Sequence, residues 1–167
     1  MHSSQDPSYE DRLLSAYEGE ILGEAFFATL AHEAEADQTR TKLQHLAAIE
    51  RMVAGALSPV IARRSLEPKR KEELAAQGRK EAIDYLGLDW TEFAIKLRDL
   101  LLPFLAEFEG LLADAPSADE PLVQLLVDHE AALIAFARTE GEDERDGSIH
   151  LDEFVRRYSG YFGDALS

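Results

Sequence analysis

Four long stretches of the chain repeat apolar side chains every three or four residues, and this spacing constrains the fold more than any other feature. Such spacing places the apolar side chains on one face of an α-helix. It predicts helices over about residues 7–36, 39–64, 89–113 and 121–140. The positions that define the four faces are Leu14, Tyr17, Ile21, Ala28 and Ala31; Leu43, Leu46, Val53, Leu57 and Val60; Phe93, Leu97, Leu100, Phe104, Phe108 and Leu111; and Val123, Val127, Ile134 and Ala137.

The connections between these helices differ in length, and the difference predicts the topology. Short polar turns separate the first helix from the second and the third from the fourth, so each pair forms an antiparallel hairpin. Residues 65–88 are charged and contain two glycines, and they predict one long crossover between the hairpins. Residues 141–163 predict a loop and a short C-terminal helix. The 167 residues are typical of one domain, so we predict a single four-helix-bundle domain over 1–167.

The charge of the chain argues against several partners. It has 33 acidic and 17 basic residues, a formal net charge of −16, and the resulting field repels nucleic-acid phosphates and anionic membrane surfaces. We therefore predict neither a nucleic-acid nor a membrane partner. Without a signal-like apolar segment or an 18-residue apolar run, a cytoplasmic location is expected. Because the chain has no cysteine, oxygen or imidazole must hold any metal.

Three glutamates interrupt the apolar faces. Glu24, Glu50 and Glu130 stand where the spacing calls for apolar side chains, so all three are expected to point inward. Glu24 and Glu50 lie thirteen residues on either side of Asp37, the predicted centre of the first turn. Glu130 lies equally far from the turn near Ser117, which places the three carboxylates in one layer.

Carboxylates in a core need compensation, because burying an ionised group costs several kcal/mol. A metal ion, a shared proton or nearby donors can compensate. The alternative is a rotated helix whose glutamate extends to solvent. Periodicity alone is compatible with both arrangements.

The first hairpin carries a motif with an inward glutamate after a glycine on the first helix and a second glutamate on the next. Its residues 19–50 read GEILGEAFFATLAHEAEADQTRTKLQHLAAIE. This hairpin resembles that of ferritin-like and rubrerythrin-like proteins, best over residues 10–64, and residues 127–140 match the fourth helix of that family more loosely. The resemblance implies a ferritin-like four-helix bundle with one long crossover. In that family two irons are held by a Glu from each of two helices and a Glu-x-x-His from each of the others.

The chain departs from the family motif at both histidines. Val53 and Leu133 stand in their places, and the matching height of the third helix has no glutamate. The resemblance therefore implies a reduced site. Its ligand-position residues are Glu24, Glu50 and Glu130, with Glu20, one turn before Glu24, or His129, beside Glu130, assisting.

These ligand types suit iron, manganese or zinc, and of these we expect iron or manganese. We predict a ferritin-like helical-bundle protein with a reduced carboxylate metal site and metal-dependent oxidation as its activity. The alternative is a non-catalytic helical module, used for binding or dimerisation, that has lost the metal site. The sequence is compatible with an enzyme and with a binding protein.

Two further features of the sequence concern calcium binding and dimerisation. Residues 142–153 match the spacing of a calcium-binding EF-hand loop, from Glu142 at its first position through Gly147 at its sixth to Glu153 at its twelfth. Long glutamates crowd that site and no second loop pairs with it, so we expect a solvated loop without calcium. Phe26 and Phe27 are adjacent and cannot both face one core, which predicts that one lies in a homodimer contact.

Overall fold

Residues 5–142 and 145–163 are described by a computed structural model, and within them the chain forms helices and no strand. The all-α prediction is confirmed. A 3-10 turn covers Ile83–Tyr85. The α-helices are α1 (Tyr9–Glu33), α2 (Asp37–Arg63), α3 (Lys71–Ala82), α4 (Trp90–Ala113), α5 (Glu120–Glu142), α6 (Ser148–Arg157) and α7 (Ser159–Phe162).

Capping residues determine where α1 and α4 begin. The Ser8 hydroxyl accepts a hydrogen bond from the Asp11 N–H at 3.1 Å, and the Asp11 carboxylate accepts one from the Ser8 N–H at 3.2 Å. This capping box starts α1 two residues after the predicted start. Asp89 and Glu92 form the same arrangement at the start of α4, as their spacing predicts.

The turn between α1 and α2 differs from the prediction. Helix α1 ends at Glu33 and α2 begins at Asp37, so residues 34–36 form the connection. Asp37 belongs to the first turn of α2, where a negative charge interacts favourably with the helix dipole. The centre of the hairpin is therefore Glu35, two residues before the predicted centre.

The helices pack as two hairpins, α1 with α2 and α4 with α5. Helix α5 also contacts α2 and is covered by α6. The predicted crossover over 65–88 differs from expectation, because it contains α3, which packs along α1. The two helices approach closely at Gly78, where an added Cβ would lie 2.3 Å from the Leu22 carbonyl oxygen.

Each end of α5 is tied to other helices by a buried carboxylate. At its start, Asp119 is 2% exposed and accepts hydrogen bonds from Arg64 Nη2 at 2.6 Å and from the Tyr9 hydroxyl at 2.9 Å. Near its end, Glu140 pairs with Lys42 and accepts a hydrogen bond from Trp90 Nε1 at 2.9 Å. These contacts tie the two hairpins together above and below the centre of the molecule.

Phe26 and Phe27 are both buried inside the chain. Helix α3 and the following turn cover the side of α1 that bears Phe26, whose ring packs edge-on against Tyr85 at 5.0 Å. The assumption that adjacent phenylalanines need a second subunit is therefore wrong. A homodimer stays a prediction without support from these two residues.

Helix α2 is long and apolar enough to cross a membrane by length and composition alone. However, 44% of its most apolar 18-residue window is buried inside the molecule. The core helix of a globular protein has the same composition, so this property is weak evidence for insertion.

Candidate metal centre

Four polar side chains meet between the middle parts of α1, α2 and α5. Glu20 comes from α1, Glu50 from α2, and His129 and Glu130 from α5. They are 2%, 5%, 0% and 5% exposed, respectively. We call them the Glu/His cluster. Its position halfway along three long helices holds the side chains on a rigid frame.

The distances within the Glu/His cluster bring three ligand types together. His129 Nδ1 lies 3.4 Å from Glu20 Oε1, and His129 Nε2 lies 3.6 Å from Glu50 Oε1. One ligand atom each from Glu20, Glu50 and His129 lie within 4.8 Å of one another. Glu130 Oε1 is 3.9 Å from His129 Nδ1 and stands next to this group of three. The three side chains can therefore converge on one small cation.

Several buried polar atoms of the Glu/His cluster have no hydrogen-bond partner among the described residues. These atoms are both ring nitrogens of His129, Glu20 Oε2 and Glu130 Oε2. Leaving such atoms unsatisfied in a core costs about 1–3 kcal/mol each, and more when they are charged. The fold thus leaves buried nitrogen and oxygen atoms without partners at the place where a cation would be bound.

Burial changes the proton affinity of the three carboxyl groups. Burial is the main cause that raises the pKa of Glu20 to about 8 and that of Glu130 to about 8. The pKa of Glu50 is raised well above its usual range by burial and by the neighbouring Glu20. An oxygen of Glu20 lies within 4.8 Å of an oxygen of Glu50. Without a cation, the carboxyl groups are therefore protonated at neutral pH.

A glycine makes room for Glu50. A Cβ added at Gly23 of α1 would lie 3.0 Å from both Cδ and Oε2 of Glu50. Real Cβ atoms are rarely this close to other atoms, so the carboxylate of Glu50 occupies space that only glycine leaves free.

Glu24 lies outside the Glu/His cluster, in contrast to the inward position expected from its apolar stripe. Its side chain is 35% exposed, and its Oε1 lies 3.7 Å from Arg51 Nη1. The row of α1 residues that predicted an inward Glu24 is also turned partly outward, since Ala28, one turn further along, is exposed. With the hairpin centred on residue 35, the residue that faces Glu50 is Glu20, fifteen positions to either side.

His129 is more central than the sequence indicated. It was expected to assist Glu130, but its imidazole contacts carboxylates from both α1 and α2. Helix α6 covers it, with the Phe154 ring 5.6 Å from the imidazole ring. Adjacent residues His129 and Glu130 can both be buried because α5 is covered on more than one side.

A cavity of about 780 Å³ runs between α1, α3 and α4 to the Glu/His cluster. Glu20, Glu50 and Glu130 form part of its wall. Most of the remaining wall is apolar, and its large side chains include Phe26, Phe27, Leu97, Leu101, Phe104 and Phe108. The structure thus places an apolar space of ligand size beside a carboxylate site.

Two carboxylates of the EF-hand-like stretch, Glu142 and Asp146, have close partners within the protein. Glu142 accepts a hydrogen bond from Arg98 Nη1 at 2.9 Å. Asp146 accepts one from the Ser148 N–H at 3.0 Å, and this bond is the main cause that lowers its pKa. Asp146 also lies 3.4 Å from Lys42 Nζ. Glu144 lies outside the described residues.

The fold and the Glu/His cluster together define an all-α protein with a buried carboxylate–histidine site beside a cavity. Comparison with protein-family models, with curated proteins and with solved structures finds no match for this chain. The resemblance of residues 19–50 to ferritin-like proteins stays a prediction.

Proposed function

We propose that this chain is a ferritin-like helical-bundle protein whose Glu/His cluster binds one iron or manganese ion and supports metal-dependent oxidation. In this proposal α1, α2, α4 and α5 are the four bundle helices. The observation that carries it is the convergence of ligand atoms from Glu20, Glu50 and His129, each from a different helix, within 4.8 Å of one another.

The unsatisfied atoms support a cation at this place. An ion bound to both glutamates and the histidine would give Glu20 Oε2, or a ring nitrogen of His129, the partner that it lacks. Carboxylate and imidazole ligands suit iron and manganese. A bound ion of this kind supplies Lewis acidity and one-electron chemistry.

The protein's own residues provide the surroundings that such chemistry needs. Apolar side chains make up most of the cavity wall beside the cluster, and low-dielectric surroundings strengthen the electrostatic interactions there. Three protein ligands leave coordination positions free for a small molecule. The cavity reaches the cluster on the side where Glu20, Glu50 and Glu130 face it.

Elemental analysis of purified protein tests the proposal. After expression with iron, manganese and zinc supplied, we expect about one equivalent of iron or manganese per chain. Glu50→Ala should lose this metal, because it removes a ligand. Glu24→Ala is the matched control and should keep the metal, since Glu24 lies outside the cluster.

One result would overturn the metalloprotein proposal. If the metal content stays below about a tenth of an equivalent after reconstitution, the cluster is not a metal site.

The second candidate is a non-catalytic binding module, and the proximity of the buried Glu20 and Glu50 carboxyls, with oxygens within 4.8 Å of each other, favours it. A shared proton compensates two buried carboxyls without a metal. In that case Glu50→Leu should be more stable than the parent, because an apolar side chain replaces a costly buried acid. A metal-binding chain should instead lose stability in the presence of its metal when Glu50 is replaced. Urea unfolding with and without added metal distinguishes the two.

A further inference from the structure

The cavity has two chemically different parts. Its length between α1 and α4 is lined by leucine and phenylalanine side chains, whereas its inner end reaches three buried carboxyls. Its volume of about 780 Å³ lies within the range of small-molecule sites. A ligand that matches both parts has an apolar body in the leucine- and phenylalanine-lined part and one polar group at the end that reaches the buried carboxyls.

The charges of the wall specify the polar group. Besides the three buried carboxyls, four acidic residues line the cavity against two basic ones. One of the basic residues, Arg12, is paired with Asp114 at 2.7 Å. Low-dielectric walls strengthen such a field, which attracts cations and repels anions. The cavity is therefore complementary to a positively charged end group.

Glu130 is the residue in position to bind that group. It is 5% exposed, lines the cavity, and its Oε2 has no hydrogen-bond partner among the described residues. It also lies outside the group of three metal-ligating side chains. An ammonium group at Glu130 would satisfy its free oxygen with a charge-assisted hydrogen bond.

We propose that the cavity binds a primary amine with an apolar tail, and that Glu130 accepts the ammonium group. The proposal names the substrate class of the same site, so the role of the amine as a substrate rests on the proposed function. Binding itself requires no metal. A fatty-acid-like anion is disfavoured by the acidic wall, and a neutral alcohol brings no positive charge to pair with the Glu130 carboxylate.

Isothermal titration calorimetry with three matched probes tests the head group. Octylamine, octan-1-ol and octanoate share an eight-carbon tail and differ in charge. At pH 7 we expect one octylamine per chain, bound at least about tenfold more tightly than octanol, and no measurable binding of octanoate. The titrations are made with metal-free and with metal-loaded protein.

Two variants locate the binding site. Glu130→Gln should weaken octylamine binding by about tenfold and leave octanol binding unchanged, because a glutamine amide cannot become a carboxylate beside the ammonium group. Glu24→Gln is the matched control and should change neither. Ala106→Trp fills the cavity from an exposed position on α4 and should weaken both ligands without affecting the core.

The outcomes separate this proposal from the metal site. Three results would overturn the amine proposal. They are equal binding of octylamine and octanol, tight binding of octanoate, and an unchanged octylamine affinity in both Glu130→Gln and Ala106→Trp. Amine binding to a chain that takes up no metal would support it while removing the metalloprotein proposal. Metal uptake without amine binding would support the metalloprotein proposal and overturn the amine proposal.

Discussion

At the scale of single residues, the absence of a side chain at Gly23 is as important as the carboxylate of Glu50. The two lie on facing helices, and the space in front of Gly23 is filled by the Glu50 carboxylate. A glycine inside a helix normally destabilises it by about 0.5–1 kcal/mol relative to alanine. Here the missing Cβ allows a ligand side chain to enter the core.

Gly23→Ala should therefore lower metal occupancy, because the new Cβ displaces the Glu50 carboxylate by a few tenths of an ångström. The matched control is Gly55→Ala on α2, where an added Cβ meets no atom within 4 Å. The control should keep its metal and gain about 0.5–1 kcal/mol in the free energy of unfolding. Metal content and urea unfolding measure the two effects. Equal metal content in both variants would contradict the role assigned to Gly23.

The buried carboxyls predict an unusual pH dependence of the metal-free protein. The pKa values of Glu20 and Glu130 are about 8 in the folded state, whereas the ordinary pKa of a glutamate is 4.5. The folded state thus binds more protons than the unfolded state between these values. The free energy of unfolding should fall as the pH rises from 5 to 8, by up to about 1.4 kcal/mol per pH unit for each group.

Urea titrations between pH 5 and 8, in the presence of a chelator, measure this dependence. Glu130→Gln should reduce the slope, whereas Glu24→Gln should keep it. With metal bound the trend should reverse, because metal ligands must be deprotonated. A metal-free protein whose stability rises with pH over this range would contradict the prediction.

The sequence predicts part of the Glu/His cluster, and the error at Glu24 has a clear cause. Glu50 and Glu130 interrupt regular apolar stripes, and the structure buries both. The choice between Glu20 and Glu24 depends on the centre of the turn, because a shift of two residues moves the facing position by four, about one helical turn. Local polarity made Asp37 resemble a turn residue, although it begins α2.

At the scale of the helices, α6 completes the surroundings of His129. Phe154 is 4% exposed and packs on the imidazole ring. Phe154→Ala should lower the free energy of unfolding by about 3–5 kcal/mol, the usual cost of removing a buried phenylalanine, and should expose His129 to water. Ile149→Ala on the same helix removes a 56% exposed side chain and should change stability by no more than about 0.5 kcal/mol.

Equilibrium unfolding of both variants, together with their metal content, measures this contribution. If Phe154→Ala changes neither stability nor metal content more than Ile149→Ala, α6 does not support the site.

Helix α3 shows what periodicity cannot reveal. Its twelve residues include six charged ones, and its buried positions are Leu74, Gly78 and Ala82. Two of these three have very small side chains, so the apolar face is almost invisible in the sequence. Close backbone packing, rather than a large apolar stripe, holds this helix against α1.

At the scale of the whole molecule, the two hairpins are joined by buried ion pairs at both ends of α5. Lys42→Met should lower the free energy of unfolding by about 3–5 kcal/mol, because it leaves the buried carboxylate of Glu140 without its cation. Adding Glu140→Gln should recover much of this loss, since an amide can still accept the Trp90 hydrogen bond.

Arg70→Met is the matched control, because it removes the exposed pair with Glu73 and should cost less than about 1 kcal/mol. Urea unfolding of these variants tests the connection between the hairpins. Equal losses in Lys42→Met and Arg70→Met would show that the buried pair does not stabilise the fold.

The contact at Gly78 restricts which amino acids can replace this residue during evolution. A single-nucleotide change in a glycine codon can encode several other amino acids, and all of them have a Cβ. At residue 78 this Cβ would lie 2.3 Å from the Leu22 carbonyl oxygen and would separate α3 from α1. Helix α3 forms one wall of the cavity through Leu74, Gln77 and Glu81. Any missense mutation in this one codon therefore alters the outer wall of the cavity, although residue 78 is not part of the Glu/His cluster.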